Sequence, residues 1–591
     1  MLSVEQRYLI SVVNTVREIG DIKIMKCLQH ALVSACAVVA GAMPLSSIAA
    51  PEMIFFGGPI ITMNADDYVA EALAVEGGRI LAVGDWDTVL AMADETTRQV
   101  DLDGSALLPG FVDSHSHANF IGLQAMSANL LPPPDGEGAS VASIQRLLRE
   151  YIKSESALQR ELGWVIGFGY DDSQLAELEH PTRQDLDAVS TTVPILLIHQ
   201  SGHLGVANSL GLEMAGVGAD TPDPDGGAFR RESDGKEPNG VAEEYAFFRL
   251  IFSALAAADE DLQDRMVLAG TASMASFGYT TAQEGRANPE GMAAMKRVAD
   301  RGELAIDLVS YPDMLMVEEL SPSRSYQNRY RVGGVKLTID GSPQGKTAWL
   351  SLPYHVPPQG KDESYVGYPA IDVATVNSNV MRAFDEGWQL LVHSNGDAAT
   401  DTLLNALRLA REKHPDVELR PVLIHGQVLR KEQVVALDEL DVFPSLFPMH
   451  TFYWGDWHRD SVLGPERAEN ISPTGWLRER GMMFGSHHDA PVANPDSMRV
   501  LSATVTRTTR SGAVLGAQHR VDVMTGLRAL TIWPAWQHFE ESDKGSLEVG
   551  KLADLVVLSD NPLTVDESDL AGLQVRTTYK EGHVVYQQDE R

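Results

Sequence analysis

Cysteine is close to absent from this chain: 591 residues hold two, Cys27 and Cys36. Both lie in an N-terminal stretch that reads as a removable address. The remainder then has no thiol and no disulfide, which excludes a disulfide-stapled fold and cysteine nucleophile chemistry. Basic charge is short as well: 47 Lys and Arg face 82 Asp and Glu, a formal net charge of −35. The acids are spread along the chain rather than gathered in a tail, and no basic stripe interrupts them, so nucleic acid is excluded as a partner and solubility is favoured. Long apolar runs are missing too. The most apolar stretch, residues 31 to 43, falls short of the roughly 20 residues that a membrane helix needs, which excludes a stable span.

That stretch sits in the order of a secretory signal, with Lys26 before it and the small residues Ser47-Ile48-Ala49 after it. Residues 1–49 are read as signal peptide and N-terminal extension. Cleavage after Ala49 is favoured, because cleavage after Ala50 would leave Pro51 next to the scissile bond. Translation starts at Met1 or at Met25. "VSAC" at 33–36 resembles a lipoprotein box, but the apolar run continues past Cys36, which disfavours a lipid anchor. A secreted or periplasmic location is expected.

What is present is a large apolar fraction, 44%, enough for a sizeable core and more than one domain. Residues 50–106 hold short β-rich runs broken by Gly-Gly and Asp-Asp turns, and residues 541–591 hold matching ones, "KLADLVVL" and "VRTTYKEGHVVYQ". The two ends are expected to form one small β-sandwich. Between them, over 107–540, strands alternate with helices, the signature of a parallel α/β fold. Eight apolar runs, at 107–113, 278–283, 304–310, 333–338, 388–393, 421–425, 441–446 and 482–486, match the count of a (β/α)8 TIM-type barrel. The gap from about 120 to 265 is too long for a loop. It contains a strand of its own, "VPILLIHQ" (193–200), and a hairpin candidate, "TPDPDGGAFRRESDGKEPNG", so an inserted subdomain over the barrel mouth is expected.

"LLPGFVDSHSH" ends the first run with His115 and His117 two positions apart. In a strand, residues i and i+2 share a face, and barrels carry chemistry at the C-terminal strand ends. Two imidazoles there make half a metal site. A bare His-x-His is often no more than a chance pair. The other strand ends change that: "WQLLVHSNGD" ends in His393, "PVLIHGQ" in His425, "GMMFGSHHDAP" in a loop with Asp489, and "RVGGVKLTIDGS" buries Lys336 in a strand. Singly, His393 and His425 could be core histidines and Lys336 could pair with Asp340. Jointly, six such residues at mouth positions are poorly explained by packing.

These stretches, with "GSLEVGKLADLVVL" near the C-terminus, resemble the amidohydrolase superfamily of metal-dependent hydrolases, in its amidohydrolase 3 branch. The likeness runs from about residue 53 to 587. It implies that His115, His117 and Asp489 hold one divalent ion and that His393 and His425 hold a second. It implies that Lys336 is carboxylated and bridges the ions, that zinc is the leading metal, and that Asp489 carries the proton in water-driven hydrolysis of an amide-type C–N bond. "HSNGD", "IHGQ" and the extra His487 and His488 depart from the commoner pattern without losing a ligand. Two other readings stand beside hydrolysis: a mononuclear deaminase or other cyclic-substrate hydrolase, and a non-catalytic metal-binding scaffold. The lysine in the fourth run, and no glutamate soon after His393, favour the hydrolase over the deaminase. Retention of Asp489 speaks against the scaffold.

A small-molecule substrate is expected, and the sequence leaves oligomeric state open. Candidate contacts are His203, which could instead cap a helix beginning near Val206, together with Asn208, Gln283 and Glu284. Others are His450, Trp454 and Trp457, within "FPMHTFYWGDWH". That aromatic run, if it lines the pocket, suits an apolar N-acyl or aryl amide; the alternative is that it packs the insertion onto the barrel. No arginine fork for a carboxylate is evident beside the ligands, with Arg467 and Arg478 left open.

Overall fold

The computed structural model describes residues 50–358 and 360–589; the expected signal segment lies outside them. Met53–Ile61, Val69–Glu76, Arg79–Gly84, Arg98–Asp101 and Ala106–Pro109 join Leu555–Leu558, Val575–Lys580 and His583–Gln587 in one eight-stranded sheet. The two ends thus meet, through the antiparallel pairing of Ala106–Pro109 with Leu555–Leu558. Alternation sorts the side chains: Phe55, Leu73, Val75, Leu107, Leu555 and Val557 pack in one cluster, and Ile54, Ala72, Ala74 and Val89 in another.

The run expected as a single strand at 107–113 divides at Gly110. Ala106–Pro109 belongs to the terminal sheet, and Phe111–Val112 begins the parallel set. A Cβ at Gly110 would lie 2.3 Å from Thr280 Cγ2, so glycine lets the chain cross from one sheet to the other against the next strand.

Phe111–Val112, Tyr279–Ala287, Asp307–Pro312 and Tyr330–Val332 form a parallel arc. Gly334–Thr338, Gln389–Ser394, Val422–His425, Phe443–Leu446 and Gly485–Ser486 form a second. The chain over Tyr330–Thr338 belongs to both arcs, interrupted only at Gly333, so eight strands follow one another in sequence order. A Cβ on Gly334 would stand 2.1 Å from the Gln389 carbonyl oxygen. The Gly-Gly pair is what allows this close crossover. Helices such as Pro289–Asp300, Val373–Glu386, Asp397–Lys413 and Ser497–Thr506 intervene between or follow the strands and bury their apolar faces in the two main core clusters.

The long gap after the first strand is structured. Its strands Ala128–Asn129, Val165–Tyr170, Ile195–His199, Leu204–Ala207, Gly227–Arg231 and Pro238–Glu244 make a separate six-stranded sheet. This includes the expected strand near 193–200 and the expected hairpin, Gly227–Arg231 against Pro238–Glu244.

Candidate metal centre

His115 and His117 follow the first short strand, and the backbone there is held by Asp113. One carboxylate oxygen accepts the His115 N–H at 3.0 Å and the other accepts the Gln283 N–H at 3.0 Å and the Ser116 hydroxyl. Burial lifts the Asp113 carboxyl to about 7.

His115 is fully buried. Its Nδ1 lies 2.7 Å from Gln283 Oε1, an oxygen that can only accept, so the proton sits on Nδ1 and the Nε2 lone pair points inward. That lone pair meets Lys336 Nζ at 3.0 Å and Asp489 Oδ1 at 3.3 Å. His117 Nε2 lies 3.4 Å from the same Asp489 oxygen, and its Nδ1 3.6 Å from Glu284 Oε1. Burial alone would lower the His117 pKa, but the carboxylates of Asp489 and Glu284 raise it. Burial, helped by Lys336, pushes the His115 pKa far down, so His115 is a neutral donor.

On the far side, His393 Nε2 is 3.2 Å from the Gly341 carbonyl. The Asn395 side-chain amide nitrogen lies 3.1 Å from the same ring nitrogen, and His393 Nδ1 faces His425 Nε2 at 3.1 Å. His425 Nε2 lies 3.9 Å from Asp489 Oδ2. Asp340, once a possible partner of Lys336, instead accepts the backbone N–H groups of Asn395, Gly396 and Trp349 at 2.8–3.0 Å. It shapes the "HSNGD" turn. Lys336 is buried among these groups, and burial brings its amine down to about 7.

A divalent cation fits this donor set. His115, His117 and Asp489 place ligand atoms within 4.8 Å of one another, and the buried Asp489 Oδ1 and His425 Nδ1 have no hydrogen-bond partner among the described residues. Two of these residues hold left-handed backbone, His425 at φ 75° and Asp489 at φ 52°, a cost on the order of 1 kcal/mol each for residues other than glycine. A second cluster, Asp171, Asp172 and His199, has comparable spacing. There His199 Nδ1 accepts the Ser201 N–H at 3.0 Å, so Nε2 keeps its proton for Asp172 at 3.0 Å. No lone pair is left for an ion.

The other expected residues divide. His203 lines a cavity of about 110 Å³ together with His117, Lys336, His393, His425 and Asp489. Its Nδ1 is 2.7 Å from Glu244 Oε2, and its ring centroid is 5.6 Å from that of His393. It caps no helix; Asn208 caps Ser209–Met214. Glu284 and Gln283 stand behind the first-strand histidines. His450, Trp454 and Trp457 do not line the cavity, which corrects the expected substrate contacts. Trp454 is wholly buried and donates its indole N–H to Asp171. His450 Nδ1 is 2.9 Å from His458 Nε2, and the Trp457 indole donates to the Gln344 carbonyl at 3.1 Å. All three lie on the helix Met449–Trp457, where positions 450, 453, 454 and 457 share one face. On that face Tyr453 and Trp454 reach the insertion at Asp135 and Asp171, while His450 and Trp457 are held by His458 and the Gln344 carbonyl.

His487 stacks on Phe447 with centroids 4.9 Å apart, its ring 5.3 Å from that of His115 and both its nitrogens without a hydrogen-bond partner among the described residues, and His488 Nδ1 accepts the Ala490 N–H at 2.9 Å. Arg467 is spent on the carbonyls of Leu463, Leu352 and Pro353, and Arg478 pairs with Asp522 at 2.9 Å. The cavity's own arginine, Arg286, was missed. It sits three positions after Gln283 in "QEGRA", in the same strand, and that position was the available signal.

Strand-end imidazoles and carboxylates gathered at one mouth of an α/β chain are the plan of metal-dependent hydrolases. The Amidohydrolase family model matches residues 98–586, and the chain belongs to that family, as its motifs led us to expect. The N-substituted formamide deformylase of Arthrobacter pascens is 27% identical over 560 residues, covering 91% of this chain and 98% of its own length. YtcJ of Bacillus subtilis (strain 168) is 27% identical over 547 residues, covering 91% and 99%. The crystal structure of an uncharacterized metal-dependent hydrolase from Pyrococcus horikoshii OT3 aligns with a TM-score of 0.69 at 22% identity, covering 87% of this chain and 99% of that one. At that identity the likeness is one of fold.

Proposed function

We propose that the chain hydrolyses an amide-type C–N bond of a small molecule with water activated at this centre, and that the two parallel arcs close as one (β/α)8 barrel with the terminal sheet as its β-sandwich. The observation that carries the reading is the inward lone pair of His115 Nε2, fixed by the Gln283 amide oxygen on the opposite ring nitrogen as a ligand to a metal is held, beside His117 and Asp489. The name of the formamide deformylase supports the reaction class.

His115, His117 and Asp489 would hold one ion, and His393 and His425 a second. Zinc is the first choice for such donors, and it supplies a Lewis acid that brings the pKa of water down to about 7. Asp489, whose Oδ1 faces His115 Nε2 and His117 Nε2 at 3.3 and 3.4 Å without a hydrogen bond, would accept the proton of the attacking water and deliver it to the leaving nitrogen. Lys336, a neutral amine at slightly alkaline pH, reacts at Nζ with carbon dioxide, losing a proton to give a carbamate whose oxygens face the same space. Phe120, Phe168, Ile198, Phe247, Phe248 and Val492 wall the cavity, which supports a substrate with an apolar acyl or aryl group. Export by the N-terminal segment belongs to this reading and rests on sequence.

A one-ion centre is the second reading, favoured because His115, His117 and Asp489 converge while His393 and His425 pair apart. Elemental analysis of the purified protein with His115→Asn and His393→Asn, beside turnover of a panel of amides with zinc or manganese, tests both. Two ions per chain, with loss of metal and activity in each variant, is expected. Full occupancy in either variant removes that residue from the ligand set.

A further inference from the structure

Arg286 lines the same cavity as the candidate ligands, near the end of Tyr279–Ala287. A guanidinium carries five N–H donors. Among the described residues the Arg286 side chain uses one: Nε donates to Asp313 Oδ2 at 2.9 Å. Asp313 is itself held, its Oδ1 accepting the Leu315 N–H at 3.0 Å and its backbone bridging to Lys336, so the fork cannot swing freely. The other N–H groups have no protein acceptor, and the side chain is only 22% exposed. Those N–H groups belong to a side chain that lines the cavity, where a ligand's oxygen atoms could meet them. Arg286 also stands at the wall shared with a neighbouring cavity of about 360 Å³, and Phe248 lies beneath its charge at 5.5 Å.

We propose that Arg286 is the substrate anchor of this site, pairing through its terminal nitrogens with a carboxylate that the amide substrate carries away from the scissile bond. Two coplanar N–H groups match two carboxylate oxygens; a neutral carbonyl would take one and strand the others. The apolar wall takes the other end of the molecule. The substrate class is therefore a carboxylate-bearing amide with an apolar acyl or aryl group. This deepens the hydrolase reading above and rests on it for the scissile bond.

The test has two arms. In the first, N-benzoylglycine and its neutral counterpart N-propylbenzamide are compared for kcat/KM on the metal-loaded protein. The wild type should prefer the carboxylate on the order of 10²-fold, the scale of one buried charge pair. The preference should collapse in Arg286→Met and partly survive in Arg286→Lys. Because Arg286→Met leaves Asp313 unpaired, the double variant with Asp313→Asn is measured beside it. In the second arm, phenylacetate and 2-phenylethanol are titrated calorimetrically into the metal-free protein, with no turnover required. Tighter binding of phenylacetate that depends on Arg286 supports the anchor even if neither amide is cleaved, an outcome that would count against the hydrolase reading alone. Equal binding of the two probes, or a preference that survives the double variant, overturns the anchor.

Discussion

Replacing Gln283 by leucine tests whether the first-strand histidine is a metal ligand held by a partner or merely a buried ring. Gln283 and His115 are both fully buried, and the amide makes two contacts: Oε1 to His115 Nδ1 at 2.7 Å, and Nε2 to the Ser114 carbonyl at 3.2 Å. The carbonyl does not need it, because Gln537 Nε2 and the Ser445 hydroxyl also donate there at 2.9 and 3.3 Å. Only the His115 Nδ1–H is stranded by Gln283→Leu. An unmet buried donor costs about 1–3 kcal/mol, and the ring can escape that cost by moving its proton to Nε2, which destroys the inward lone pair. Metal affinity should fall by about 10- to 100-fold, the usual scale for losing the partner of a ligating histidine. Gln283→Glu keeps the acceptor and should hold affinity near the wild-type level. Competition with a chromophoric chelator gives the affinities, and urea denaturation of the metal-free proteins gives the folding cost. Unchanged affinity in Gln283→Leu, with the stability loss present, would mean that His115 Nε2 is not a ligand.

Asp489→Asn should leave a folded, metal-bearing protein whose kcat is lower by on the order of 10² or more; near-normal turnover would place the proton carrier elsewhere. Trp454→Ala should cost about 3–5 kcal/mol in unfolding free energy, as for a fully buried indole, and leave the preference between bulky and small amides unchanged. A changed preference at intact stability would return Trp454 to the pocket. Acid should weaken the fold through His538, whose Nδ1 lies 3.0 Å from the Tyr311 hydroxyl oxygen and whose Nε2 donates to the Asp113 carbonyl at 2.8 Å, and whose pKa burial lowers to about 4. Below about 6.5 the unfolded chain binds a proton that the folded one refuses. Stability is therefore full above that pH and declines as pH falls toward 4, by about 1.4 kcal/mol per unit for this group. In His538→Gln the slope of unfolding free energy between pH 7 and 5 should flatten by that amount, and an unchanged slope would exclude His538 as a contributor.

The candidate metal ligands were legible because His393 and His425 lie at the ends of apolar strands and His115, His117 and Asp489 within a few residues past them, and a strand end is a predictable point. Each of the eight runs coincides with an observed strand for the same reason, with departures at Gly110, where contact with Thr280 divides the run, at Gly333, which separates Tyr330–Val332 from Gly334–Thr338, and at the last run, reduced to Gly485–Ser486. The insertion could be inferred from length alone. The role of Asp340 was not legible: a carboxylate four residues past Lys336 looks like a partner in sequence, and only the fold shows its oxygens taken by three backbone N–H groups of distant turns.

Sequence by itself determined the family, the strand order and the candidate ligands, since those depend on period and on which residue ends each strand. Tertiary structure alone decided which side chains share the cavity. The aromatics of Met449–Trp457 are a few positions past a strand end, yet Trp454 is claimed by Asp171 of the insertion and Trp457 by the Gln344 carbonyl. Arg286 lies in an unremarkable polar stretch, yet Asp313, 27 positions away, fixes it at the cavity wall. Proximity of that kind is set by how elements far apart in the chain pack together, and local pattern carries no record of it.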